Sequence, residues 1–127
     1  MMRPSPDVKA AAWFDDVGSL PLFISMITQA ELLAGVACLP QGKRRSAIAL
    51  RVEEMLAEDF AGRVLLFDDT ASRSYALIAA ERHRLGRPIS DNDCQIAATA
   101  RVHGLHLATR NISDFEHCGI DLINPWV

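Results

Sequence analysis

"RPISDNDCQIAATARVHGLHLAT", residues 87–109, reads as one helix running directly into one strand, and its reading decides the fold class. Gly86-Arg87-Pro88 breaks whatever precedes it, and Ser90 has the chemistry of an N-cap. Asp91 and Asp93 then place negative charge in the first turn, where the helix dipole favours it. From Cys94 the chain is small and apolar until His103-Gly104 stops it, and "LHLAT" (105–109) comes next as a short buried strand. A helix that leads straight into a buried strand is the building unit of an α/β layer.

The same unit recurs outward in both directions. "RVLLF" (63–67) is a strand, and Asp68 or Asp69 caps a helix reaching Leu85. Before it, a long helix spans residues 42–61, Thr28 caps another through Cys38, and "LFISMI" (22–27) is a strand. Toward the C-terminus, residues 112–118 make one helical turn and "IDLIN" (120–124) a last strand before Pro125. At the start, Ser5-Pro6-Asp7 opens a helix to Asp16, so the chain enters on a helix where this architecture normally begins with a strand. Strands alternating with helices imply a mostly parallel sheet, whose ligands bind beyond the carboxyl ends of its strands.

The totals narrow the function classes. The 127 residues suit one domain, 1–127, and 50% hydrophobic with 23% charged residues is a globular composition. A net charge of −3 argues against a protein that coats nucleic acid nonspecifically but leaves room for a local basic groove; Lys43-Arg45 and Arg82-Arg87 are the two candidate clusters, although such runs are most often solvated helix ends. Three cysteines without a CxxC pair point to a reducing compartment. With no apolar run long enough for a membrane span and no signal-peptide pattern, the expectation is a soluble, cytoplasmic protein without a membrane partner.

Three acids stand out. At about 100° per residue, Asp93 falls in line with Ile96, Ala97 and Ala100 while Asp91 lies nearly opposite. An acid on an apolar stripe must be bonded or coordinated, so Asp93 either closes a capping box with Ser90 or serves a ligand. Glu31 shares a face with Ala34, Gly35 and Cys38, or is a plain first-turn acid. Asp114 lies just past the "LHLAT" strand, and Ser113 and Glu116 also have capping-box spacing around it. Thr109 and Asn111 form the polar exit of that strand and are candidates to orient a carboxylate or water. Carboxylates that converge without histidine or cysteine suit a hard cation, Mg²⁺ or Mn²⁺. No GxSxG, GxGxxG or GxxxxGK[ST] occurs, the four histidines lack metal-site spacing, and a phosphatase reading on Asp68 finds only Lys9 and Lys43 as lysines.

The stretches "ITQAELLAGV", "LLFDDTASRSYA" and "RPISDNDCQIAATARVHGLHLATRNISDFEHCGIDLINPW" together resemble the PIN-domain ribonucleases, specifically the VapC-like and FitB-like toxins of type II toxin–antitoxin modules. The resemblance implies a three-layer fold with a central, mostly parallel sheet flanked by helices, dependence on Mg²⁺ or Mn²⁺, and cleavage of an RNA substrate. It also implies a homodimer and a cognate antitoxin. Residue by residue, it makes Glu31, Asp93 and Asp114 the catalytic and metal-binding acids, with Ser90, Thr109 and Asn111 in support. One departure matters: the family opens on a strand and then Asp-Thr-Asn, and "MMRPSPDVKAAAWF" resembles the segment after that turn. The expectation is therefore an N-terminally truncated domain with its first strand missing and its activity impaired. The alternative is a catalytically inactive PIN scaffold that dimerises and binds an antitoxin.

Overall fold

Serine and aspartate caps set three of the four α-helices, and short parallel ladders tie the elements together, through residues 22–124, the part that the computed structural model describes. The helix expected from Ser5 to Asp16, and the question of an opening strand, lie outside these residues. Strand β1 (Ile24–Ser25) pairs in parallel with β2 (Val64–Leu65), Ile24 opposite Val64. Strand β3 (Leu107–Ala108) pairs in parallel with β4 (Leu122–Ile123), Leu107 opposite Leu122. Bonds from Ile24 N–H to the Arg63 carbonyl (3.0 Å) and from Thr109 N–H to the Ile123 carbonyl (2.9 Å) lengthen the ladders. All four expected strands are present, each shorter than its apolar run. The expected single sheet is, among the described residues, two separate ladders.

Helix α1 (Met26–Ala37) begins directly at the end of β1. Its cap is Ser25, extended at φ −76° and ψ 152°, whose Oγ accepts from Thr28 N–H at 3.0 Å. Thr28 is thus inside the helix, and the expected cap lies three residues too late. Serine, in extended backbone at a strand end, takes the cap before the apolar run is over. The shift moves Glu31 into the second turn, where the dipole no longer accounts for it.

Helix α2 (Lys43–Glu54) widens into a π-turn (Met55–Asp59) closed by Phe60 N–H on the Met55 carbonyl at 3.2 Å, so the expected helix over 42–61 is not α-helical to its end. Helix α3 (Asp69–Arg84) is capped by Asp68, whose Oδ1 accepts from Ala71 N–H at 2.9 Å. That bond occupies the Asp68 carboxylate structurally. Helix α4 (Asp91–Val102) is capped by Ser90 as the sequence indicates.

The most extensive contact between elements is α3 against α4. Ala97 and Ala98 let the helices approach, and Ile78, Cys94, Phe115 and Cys118 close the core around them. Burying Ile78, 1% exposed, contributes about 2 kcal/mol. Phe115 comes from a 3₁₀ turn (Ile112–Phe115) between β3 and β4, so the core pins the segment that carries Asp114. No helix among the described residues is long and apolar enough to cross a membrane.

Candidate functional site

The α4 cap separates the roles of its four polar residues. Ser90 Oγ accepts from Asp93 N–H at 3.3 Å, which engages the backbone of Asp93 and leaves its side chain available. Asp91, exposed, accepts from the Tyr75 hydroxyl at 2.6 Å and so fastens the start of α4 to α3. The Asp91 carboxylate, first through this bond, holds the Tyr75 phenol up at about 12. Asp93 is half-buried, in line with buried Ala97 and Ala100. The return bond of a capping box is not made, and among the described residues no donor or cation meets the Asp93 carboxylate.

Asp114 is exposed, on the 3₁₀ turn, with its N–H bonded to the Asn111 carbonyl at 3.1 Å. The turn ends at Phe115, and Glu116 points to Arg87, so Ser113 and Glu116 do not form a capping box. Thr109 Oγ1 accepts from Asn111 N–H at 3.1 Å, which turns the chain out of β3. Asn111 occupies the cap position of the 3₁₀ turn without a side-chain cap bond. Glu31 is exposed on α1.

Two arginines that read as solvated helix ends are part of this arrangement. Arg82 is 4% exposed. Its Nη1 donates to the Asp114 carbonyl at 2.8 Å, the Glu116 carbonyl at 3.1 Å and Cys118 Sγ at 3.7 Å, and its Nε donates to the Arg87 carbonyl at 2.6 Å. Arg87 pairs with Glu116 at 3.1 Å and donates to the Ser113 carbonyl at 3.1 Å. The signal was in the spacing: Ala71, Ser74, Ile78 and Arg82 form one buried stripe of α3, with Arg82 at its end. Burial pushes the Cys118 thiol up, Arg82 beside it pulls the other way, and Asp93 adds a push upward.

Asp93 suits a hard cation because it is partly desolvated and, among the described residues, meets no protein donor. Glu31 and Asp114 offer the same oxygen chemistry from exposed positions. Among the described residues, however, no three acid, histidine or cysteine side chains stand together as a metal site, so these carboxylates do not make a complete ligand set. Shape does not single them out either. An open groove of about 350 Å³ lies at the other end of α4, between Arg101, His106, Gly119 and Asp121.

Parallel ladders and flanking helices define an α/β domain. The chain belongs to the PIN domain family, which residues 1–119 match. It is 45% identical over 126 residues to the VapC ribonuclease Y4jK of Sinorhizobium fredii, covering 99% of this chain and 90% of that protein. It is 38% identical to the toxin FitB of Neisseria gonorrhoeae, covering 98% and 90%. The solved structure of FitAB bound to an IR36 DNA fragment superposes with a TM-score of 0.92 at 36% identity, over 98% of this chain and 87% of that one.

Proposed function

We propose that the chain is an endoribonuclease toxin of a toxin–antitoxin pair, acting in the cytoplasm. Glu31, Asp93 and Asp114 are its candidate catalytic acids and Mg²⁺ or Mn²⁺ ligands, and Ser90, Thr109 and Asn111 hold their supports in place. The observation that carries this reading is the half-buried Asp93 carboxylate, with no donor against it among the described residues. Its likeness to a VapC ribonuclease and to the FitB toxin over nearly the whole chain supports the activity class. What these residues contribute is binding and orientation. Ser90 fixes the backbone of Asp93, Thr109 fixes that of Asn111, and the carboxylates supply hard oxygen donors.

The antitoxin is proposed from α1. Its sequence is apolar, yet none of its residues is buried, and Leu32, Leu33 and Val36 are half-exposed. An apolar antitoxin segment and a second copy of the chain are both fitting occupants of such a helix, and FitAB, a toxin–antitoxin complex, is among the structural neighbours. The second reading, an inactive scaffold that still captures antitoxin, is favoured by the incomplete ligand set. An RNA cleavage assay with Mn²⁺ and with EDTA, on the native chain and Asp93→Asn, separates the two. The enzyme gives weak, EDTA-sensitive cleavage that Asp93→Asn abolishes while the circular dichroism spectrum is unchanged. The scaffold gives no cleavage at any Mn²⁺ concentration and unimpaired antitoxin binding.

A further inference from the structure

We infer that Arg82 and Arg87 form a clasp that positions the Asp114 carboxylate, a role that rests on the reading of Asp114 as a metal-binding acid. A 3₁₀ turn of four residues, Ile112–Phe115, has too few internal bonds to hold its own shape. Here both backbone groups of Asp114 are pinned from outside its side chain: the N–H by the Asn111 carbonyl at 3.1 Å, the carbonyl by Arg82 Nη1 at 2.8 Å. Arg87 holds the residue before, through the Ser113 carbonyl, and Arg82 with Arg87 holds Glu116 beyond it. The two arginines are tied to each other by Arg82 Nε on the Arg87 carbonyl and by Arg87 N–H on the Arg82 carbonyl at 2.9 Å. Only the two side-chain torsions of Asp114 are left to set its carboxylate.

Arg82 is also buried. A guanidinium almost wholly removed from solvent is costly unless its donors are met, and among the described residues no carboxylate meets it. Carbonyls of the Asp114 turn and of Arg87, with the Cys118 sulfur, meet it instead. A packing role alone would be served by an apolar side chain of similar length. The fork geometry of arginine, with Nε and Nη1 aimed at different segments, is what joins the end of α3 to the turn, and a lysine with its single point of donation cannot span both.

The test uses the 127-residue chain, Mn²⁺ alone as the probe by isothermal titration, and amide hydrogen exchange over residues 111–118. Variants are Arg82→Met, Arg82→Lys, Asp114→Asn, and Ile24→Val as a control that loosens buried packing outside the core cluster holding the turn. The expected result is weaker Mn²⁺ binding in Asp114→Asn, and a loss of about 10-fold in Mn²⁺ affinity in both Arg82 variants. Exchange at 113–118 becomes faster in the Arg82 variants only, and Ile24→Val binds Mn²⁺ as the native chain does. If Arg82→Met does not fold, Arg82→Lys decides. Native Mn²⁺ affinity in a folded Arg82→Lys, with Asp114→Asn weakened, overturns the clasp and leaves the site reading standing. Native affinity in Asp114→Asn overturns the site reading and the positioning role with it, whatever the exchange data show of the turn.

Discussion

The hydroxyl of Tyr75 shows how one residue changes the meaning of another. Asp91, two positions before Asp93, is spent on Tyr75 and on the first turn of α4, whereas among the described residues no donor meets the Asp93 carboxylate. The pairing also makes a pH prediction. Because Asp91 raises the Tyr75 phenol to about 12 in the folded state, the folded chain keeps that proton where the unfolded chain, near 10, has lost it. The stabilisation is fully present below pH 10 and is lost as pH rises from about 10 to about 12. Tyr75→Phe is therefore expected to cost up to about 1 kcal/mol at pH 7 in urea unfolding. The gap to the native chain closes across that alkaline window; a gap independent of pH would deny the bond. At this scale the contrast between half-buried Asp93 and exposed Asp91 was legible on a helical wheel, whereas Arg82 was not: a charged residue near a helix end suggests solvent unless it is read as the last member of an apolar stripe.

Among elements, caps and stops were the readable part. Asp68, Ser90 and the glycine breaks fall where the sequence places them, because each supplies a hydrogen bond or a left-handed backbone that few other residues can. The cap of α1 was missed since two hydroxyl residues, Ser25 and Thr28, compete within one turn, and tertiary pairing of β1 with β2 settles where the strand ends. Strand lengths and the π-turn depend on neighbours far along the chain and carry no local signature. Gly119 offers a test of element junctions. It sits at φ +75°, and a Cβ there meets the Arg101 guanidinium at 3.2 Å, while Gly86 at φ +70° has open space around it. Gly86→Ala is expected to cost about 1 kcal/mol for the backbone alone. Gly119→Ala should cost a few tenths more, and chemical denaturation of the double variant with Arg101→Ala should remove the difference. Equal costs in the single variants would show that Arg101 yields freely.

Over the whole molecule, the fold class and the family were legible because strand–helix alternation and the acids' order survive in a single sequence; the separation into two ladders was not, since pairing partners lie far apart in the chain. That separation has a kinetic consequence. The β3–β4 ladder closes a loop of about 15 residues and the β1–β2 ladder one of about 40, an entropic handicap of only about 0.9 kcal/mol. The larger difference is what each loop must contain. Between β3 and β4 lies one short turn whose Phe115 enters the α3–α4 core, while between β1 and β2 lie α1, with no buried residue, and α2, with one. The C-terminal half is therefore expected to assemble first, with the β1–β2 ladder adding to it afterwards. In stopped-flow folding, Phe115→Leu should mainly slow the folding limb, and Ile24→Val should mainly quicken unfolding. A slowed folding limb in Ile24→Val would reverse that order of events. The half that carries Asp93 and Asp114 is then expected to form first and let go last, with the helix that carries Glu31 packing onto it afterwards.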